Sequence, residues 1–365
     1  MGNPSADRDY KPGHERVRQL LSHIRPFRPK LRIRVAGTNG KGSTCFMLAA
    51  ALKSCGLKVG LYTSPHILEF NERIRIDGVP VATKALEQGL SRLMPHAIAA
   101  GASYFETATA LALDQFAIAN VDVEILEAGV GARLDASTAV DADMALITPI
   151  GIDHQAWLGD TLCKISDEKA FVMAGCRYCL SAPQPPDVMV QLRLFNPELV
   201  ETTTEPWPSL AVTGRHQLVN ASLAYAAVKV LADHGSISCD LKRAREAIAA
   251  CHVPGRLQKI TLGRAEVWLD AAHNRHAVEA LLPTLKMLAD PLDAILVFTR
   301  EDRSLEDCIP LLAPYTKSVV TRLESISAPA ALKEQLCLHP DGSFLVLGSF
   351  ITVAEILRHS DQLKQ

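Results

Sequence analysis

The sequence predicts an α/β protein. A phosphate-binding domain with a mostly parallel sheet is followed by a smaller, Rossmann-like α/β domain. Three observations lead there. Short apolar runs alternate with longer helical periods along the chain, the signature of a parallel sheet covered on both faces. A glycine-rich loop, Gly37-Thr38-Asn39-Gly40-Lys41-Gly42-Ser43-Thr44, lies between an apolar run and a helix-like stretch. A second, smaller alternation begins after Pro254-Gly255-Arg256, which reads as punctuation between domains 1–254 and 255–365.

In the first domain, strands are expected at Leu31–Ala36, Lys58–Tyr62, Val121–Glu127, Met144–Thr148 and Tyr178–Ala182. Helices are expected at Ser43–Cys55, Thr83–Ala100, Phe105–Ala119, Thr161–Ala174 and Gln217–His234. In the second, the strands are Glu266–Leu269, Ala294–Phe298, Ser318–Thr321 and Phe344–Leu347. Its helices fill Arg275–Ala289, Leu305–Ala313, Ala328–Cys337 and Ile351–His359. Asn196–Pro208 is polar and proline-containing and reads as a surface loop. Active groups of such a sheet gather at the carboxyl ends of the strands. The glycine loop, Ser64, Glu127 and His154 all lie at or just past such ends.

The loop has the parts needed to hold phosphates. Its glycines let backbone N–H groups converge on anionic oxygens, Lys41 adds a point charge, and the next helix offers its positive end. Ser43 or Thr44 offers a hydroxyl oxygen to a magnesium ion. The spacing differs from G-x-x-x-x-G-K-[ST], because Gly42 separates Lys41 from the hydroxyls. Strand and helix context favours phosphate binding over a plain glycine-rich turn.

Composition narrows the class. At 365 residues the chain suits two domains of ~100–200 residues each. It is 48% hydrophobic and 21% charged, with a net charge of −2, which gives no electrostatic case for nucleic acid or an anionic membrane. No apolar run reaches the ~18–20 residues of a membrane span, and the polar N-terminus lacks a secretory signal. Nine scattered cysteines, an odd number, argue for reduced thiols in a cytoplasmic protein. Cys176 and Cys179 have C-x-x-C spacing without a second pair, which favours a strand with a buried thiol over a metal or redox site.

Gly-Thr-Asn-Gly-Lys-Gly-Ser resembles the nucleotide loop of the folylpolyglutamate and dihydrofolate synthases, in the Mur ligase superfamily. Further stretches agree in order: Tyr62–His66, Phe70–Ile74, Leu126–Gly129, Arg133–Ala136, Gly151–His154 with Leu158–Asp160, Glu168–Ala170, Pro254–Arg256 and Asp270–Asn274. The resemblance covers about residues 10–350. It implies a Mur-ligase-like central domain and an ATP-dependent amide ligase. Such an enzyme activates a folate- or pteroate-like acid as an acyl phosphate and joins it to L-glutamate.

The resemblance also implies roles. Ser64, Glu127 and His154 would coordinate two magnesium ions, and a carbamylated Lys169 would help hold the second. Arg256 and Asp270 would reach the ATP phosphates and nucleotide, with His273 nearby, and Asp135, in the same loop as Arg133, would help recognise the pterin-bearing substrate. By residue type alone, Glu127 at the end of an apolar strand needs a cation or hydrogen bonds. The Glu168–Lys169 pair reads as an exposed salt-bridging face, Arg133 and Asp135 as a solvated loop pair, and Asp270 as a cap of the following helix. The partners expected are small molecules acting on a monomer.

The chain departs from the family pattern at Ala132, Ser137, Phe171, Ala271 and Arg275, and matches loosely at Thr299–Arg303. Phe171 stands where glycine normally follows Glu-Lys-Ala. The segment between Lys169 and Gly214 is short, and a strand pair usual in the first domain is missing from the pattern. A ligase for a non-folate acid and a catalytically silent nucleotide-binding homologue are the alternatives.

Overall fold

The computed structural model describes residues 13–289, 291–299, 304–323 and 326–363. Chain contacts divide it into two units. The first holds Met1–Ser64, Phe70–Trp207 and Val219–Cys251; the second holds Pro65–Glu69, Pro208–Leu218 and His252–Gln365.

The first unit is built on strands β1 (Leu31–Ala36), β2 (Val59–Tyr62), β3 (Ile74–Ile76), β4 (Val79–Pro80), β5 (Val123–Glu127), β6 (Met144–Ile147), β7 (Tyr178–Ser181) and β8 (Val200–Glu201). Among the described residues they form one sheet in the order β4-β3-β2-β5-β1-β6-β7-β8. From β2 to β8 all neighbours are parallel, and β3 and β4 add an antiparallel edge. The helices are α1 (His14–Leu21), α2 (Lys41–Ser54), α3 (Thr83–Ala100), α4 (Tyr104–Ala119), α5 (Gln155–Leu158), α6 (Leu162–Ala170), α7 (Pro186–Phe195), α8 (His216–Asp233) and α9 (Leu241–Ala249).

Among the described residues, two apolar clusters pack on this sheet. Leu86, Leu93, Leu111 and Phe116 of α3 and α4 pack on Tyr62 and Leu126. Ile165, Ala170, Val188 and Leu192 of α6 and α7 pack on Ala145 and Ile147. Each fully buried large side chain contributes about 1.5–3 kcal/mol. β1 is buried along its whole length although it carries Arg32 and Arg34. Arg32 pairs with Glu124, its register partner on β5. Arg34 donates to backbone carbonyls, among them that of Ala174 at 3.2 Å.

The second unit has strands β9 (Gln258–Leu262), β10 (Ala265–Asp270), β11 (Ala294–Thr299), β12 (Val319–Leu323) and β13 (Ser343–Leu347), in the order β12-β11-β13-β10-β9. All pairs are parallel except β9 with β10. Val267 and Leu269 face α12 (Ala328–Leu338) and α13 (Phe350–Arg358), whereas Trp268 joins the cluster of α10 (Arg275–Leu288) and α11 (Ile309–Leu312). A last short helix, α14, spans Ser360–Leu363.

Most expected elements lie within two residues of those observed. Leu305–Ala313 is not one helix: Pro310 and Pro314 lack the N–H that a continuing helix needs, so short 3-10 turns flank α11. α1, α7, α9 and β9 were not foreseen, nor was the β3–β4 hairpin. The hairpin turns on Asp77-Gly78, both with positive φ (53° and 83°), a local signal the sequence does carry. β9, a partly buried edge strand, precedes Glu266–Leu269, so Asp270 ends the second strand of this unit. Asn196–Pro208 is loop apart from β8. Arg300–Arg303 of the loosely matching stretch lie outside the described residues. No helix among the described residues is long and apolar enough to cross a membrane.

The thiol expectation is corrected at one pair. Cys55 and Cys239 form a disulfide across 184 residues, with Cα atoms 4.7 Å apart. Packing of α2 against α9 brings them together, which sequence distance hides. Closing so long a loop restricts the unfolded chain, so Cys239→Ser should cost ~2–5 kcal/mol. Denaturant melts with and without reductant check this; equal midpoints would show that the bond contributes nothing. Cys179 is a buried strand thiol as expected, and burial pushes Cys176 up to about 12 and Cys179 up to about 11, far from the reactive range.

Candidate active site

β1 runs straight into the glycine loop, and only glycine fits at its start. Gly37 has φ 144°, and a Cβ there would lie 1.9 Å from Thr148 Oγ1 and 2.7 Å from the Thr148 carbonyl oxygen. Gly40, at φ 90°, is the N-cap of α2, and its Cβ would meet Asn220 Oδ1 at 2.2 Å. The helix therefore begins at Lys41, two residues earlier than the apolar period suggests. Thr38 and Asn39 donate their N–H groups to Pro149 O at 3.0 and 3.3 Å. Thr38 Oγ1 exchanges hydrogen bonds with the Gly151 backbone, each 3.0 Å. Lys41 Nζ folds over the loop onto the carbonyls of Gly37 and Thr38 at 3.3 and 3.0 Å.

The hydroxyls of Ser43 and Thr44 are buried without a hydrogen-bond partner. Orphaned buried oxygens are costly, which makes both of them fitting ligands for a hard, oxygen-seeking cation.

Glu127 ends β5 and is 3% exposed. Its Oε2 accepts the Ser64 N–H at 2.9 Å, and both carboxylate oxygens lie 3.7 Å from where a Cβ on Gly42 would sit. Thus β2 and β5 bring Ser64 and Glu127 to the first turn of α2. His154, at φ 50°, caps α5 on the loop after β6; its N–H goes to Asp153 Oδ1 at 2.8 Å. Among the described residues, no group of three or more His, Cys, Asp or Glu side chains is arranged to hold a metal. Magnesium asks less of the protein, one or two carboxylates with other oxygens completing the shell.

Lys169 reverses its sequence reading. It is buried, 3% exposed, and donates to Gly37 O at 2.7 Å. Burial first, and then the Lys41 charge, pull its amine down to about 7. Its neighbours Asp167 and Glu168 turn instead to Arg133, which donates to each at 2.8 Å.

Asp135 also departs from the solvated-loop reading. Both carboxylate oxygens are engaged: Oδ2 by the Gly129 and Val130 N–H groups at 2.9 and 3.1 Å, Oδ1 by the Ser137 N–H and hydroxyl at 2.9 and 2.6 Å. Burial pushes its carboxyl up against the pull of those bonds. The side chain shapes the loop from Gly129 to Thr138.

In the second unit, Asp270 accepts from Leu257 N and Ala272 N, both at 2.8 Å. The cap of α10 is Asn274, which accepts from Ala277 N, so Asp270 is not the cap. Arg256 lies over the Phe350 ring at 4.8 Å, and His273 Nδ1 is 2.8 Å from Ala271 O. Sequence reasoning missed Asn220, four residues into α8, because no spacing template ties a helix so distant in sequence to Gly40.

No family model matches the chain. The dihydrofolate synthase/folylpolyglutamate synthase of Escherichia coli K12 is 30% identical over 390 residues, covering 96% of this chain and 91% of that protein. A probable bifunctional folylpolyglutamate synthase/dihydropteroate synthase of Haloferax volcanii is 44% identical over 168 residues; these are 44% of this chain but only 20% of that longer protein. A solved FPGS complex with AMPPCP and folate superposes with a TM-score of 0.82 at 27% identity, over 94% of both chains. Sequence likeness along nearly the whole chain and a shared two-part α/β fold place it in the folylpolyglutamate/dihydrofolate synthase family, whose members are ATP-dependent ligases that form an amide bond.

Proposed function

We propose that the chain transfers the γ-phosphoryl group of ATP to the carboxylate of a folate- or pteroate-like acid, then joins the activated acid to L-glutamate. A carboxylate oxygen attacks the γ-phosphorus and ADP leaves. The glutamate nitrogen then attacks the acyl carbon, phosphate leaves, and the amine gives up a proton. One observation carries the reading: Lys41, Glu127 and the buried Lys169 all meet the loop Gly37–Gly42. Such chemistry is mainly positioning and charge neutralisation. The N–H groups of Gly40, Lys41 and Gly42 and the positive end of α2 suit the phosphates, and Lys41 leaves its two carbonyl acceptors for them.

Ser43 or Thr44, with Ser64, Glu127 and His154, are the residues we assign to two magnesium ions. Bound there, magnesium would neutralise charge on the phosphoryl oxygens. A lysine amine held near neutrality is the nucleophilic form that adds carbon dioxide, so Lys169 suits carbamylation. Arg256, Asp270 and His273 are assigned to the nucleotide, and the Arg133–Asp135 loop to the acid. The FPGS bound to AMPPCP and folate supports the substrate class.

The test is ADP release by purified protein with glutamate, against dihydropteroate, tetrahydrofolate and unrelated carboxylic acids. We expect release to need both glutamate and a pterin-bearing acid. Turnover only with unrelated acids would overturn the folate reading. No acid-dependent release at all would point to a silent nucleotide-binding homologue.

A further inference from the structure

Arg133 sits in an arrangement that the phosphoryl chemistry leaves unused. Its guanidinium lies 3.7 Å from the centroid of the Phe171 ring, while Nε and one terminal nitrogen are bonded to Glu168 and Asp167 on α6, each at 2.8 Å. Phe171 is the C-cap of α6 and is itself braced by Phe195, with ring centroids 4.9 Å apart. The same loop comes close to α5 and α6 at a second point. A Cβ on Gly131 would lie 3.0 Å from Leu158 Cδ2 and 3.9 Å from Glu168 Cβ.

Three restraints thus meet on one side chain: an aromatic face and two carboxylates. A guanidinium stacked and bidentate in this way is held in orientation as well as in charge, which lysine would not reproduce. Its charge is already matched by two carboxylates, so Arg133 offers little net attraction to a substrate anion. Its value lies in where it places Gly129–Asp135, with the side chains of Val130 and Leu134 left 40% and 43% exposed beside it.

We propose that Phe171 is a positioning residue for the acid substrate. Its ring, through the Arg133 stack, latches the Gly129–Asp135 loop to the helix that carries Lys169. The role rests on the ligase reading given above, but the latch itself can be measured without turnover. It predicts a division of labour in which loss of the ring loosens the acid side of the site and leaves the phosphate loop untouched.

Phe171→Leu keeps an apolar side chain against Phe195 while removing the aromatic face. Amide hydrogen exchange of residues 129–135 in the unliganded protein should accelerate by about three- to tenfold, the scale of one partly exposed cation–π contact. KM for the acid should rise by a similar factor, with kcat and KM for ATP unchanged. Phe171→Tyr, which keeps the ring, should restore wild-type values in both measurements. Wild-type exchange in Phe171→Leu would overturn the latch. Faster exchange with an unchanged acid KM, or with kcat and KM for ATP shifted in step, would overturn the positioning role. Wild-type protein without acid-dependent ADP release would sink the ligase reading, and the positioning role with it, while the exchange result would still decide the latch.

Discussion

Lys169→Met should lower ATP turnover by about 10²–10³-fold, the scale of removing one hydrogen-bond donor from a preorganised site. The fold should be kept, and the melting midpoint at pH 7 should rise rather than fall, because the variant escapes the cost of protonating a buried amine. Methionine matches the length and apolar stem of lysine, and it removes a buried amine whose charged form burial already disfavours. The loss is a single hydrogen bond to Gly37 O.

The same residue gives wild-type protein a pH signature. Its folded pKa, about 7, lies below the ordinary 10.5. Between those values the unfolded chain binds the proton and the folded one does not, so folding stability rises with pH across that window. Below about 7 both states are protonated and the penalty is complete; above 10.5 both are neutral and it vanishes. Denaturant melts from pH 6 to 10 in carbon-dioxide-free buffer should show this slope in the wild type and not in Lys169→Met. A parallel pair of curves would mean that the amine titrates normally, and unchanged turnover would remove it from the mechanism.

A large effect on stability is also expected from Glu124→Leu. Arg32 and Glu124 face each other across β1 and β5 at 5% and 1% exposure. Removing one partner leaves a charge buried, which costs ~3–5 kcal/mol, whereas replacing both with apolar groups of like volume is often neutral. Arg32 retains the Asp141 carbonyl as an acceptor at 2.9 Å, which places Glu124→Leu nearer the low end. The double variant Arg32→Met with Glu124→Leu should recover most of the loss. Midpoints of chemical denaturation for the two singles and the double decide it; an additive double would show no coupling between them. The pair lies along the strand that leads to Gly37, so misregister there would move the loop as well.

Much of the site was legible because its requirements are local. The glycine loop, its lysine and its hydroxyls stand within eight residues, Gly37–Thr44. Glu127 announced itself as a carboxylate ending an apolar strand, and it is buried with Ser64 N–H as its donor. The roles of Lys169, Asp135 and Arg133 were harder to see. A Glu-Lys pair on a helix, or an Arg and Asp in a loop, looks the same whether it faces water or a sheet. Helix α9 and strand β9 were missed because their polar residues dilute the apolar period, although Asp240 does cap α9 through the Lys242 and Arg243 N–H groups.

The sequence by itself determined the alternation of strands and helices, the phosphate-type loop and the family, since propensity, periodicity and glycine geometry act over a few residues. Only tertiary structure decided that Lys169 meets Gly37 across 132 positions, that Arg133 stacks on Phe171, and that Cys55 joins Cys239. Those outcomes follow from β1 lying between β5 and β6 and from which helices cover them. Burial, and with it charge state, belongs to neighbours that the order of residues along the chain does not reveal.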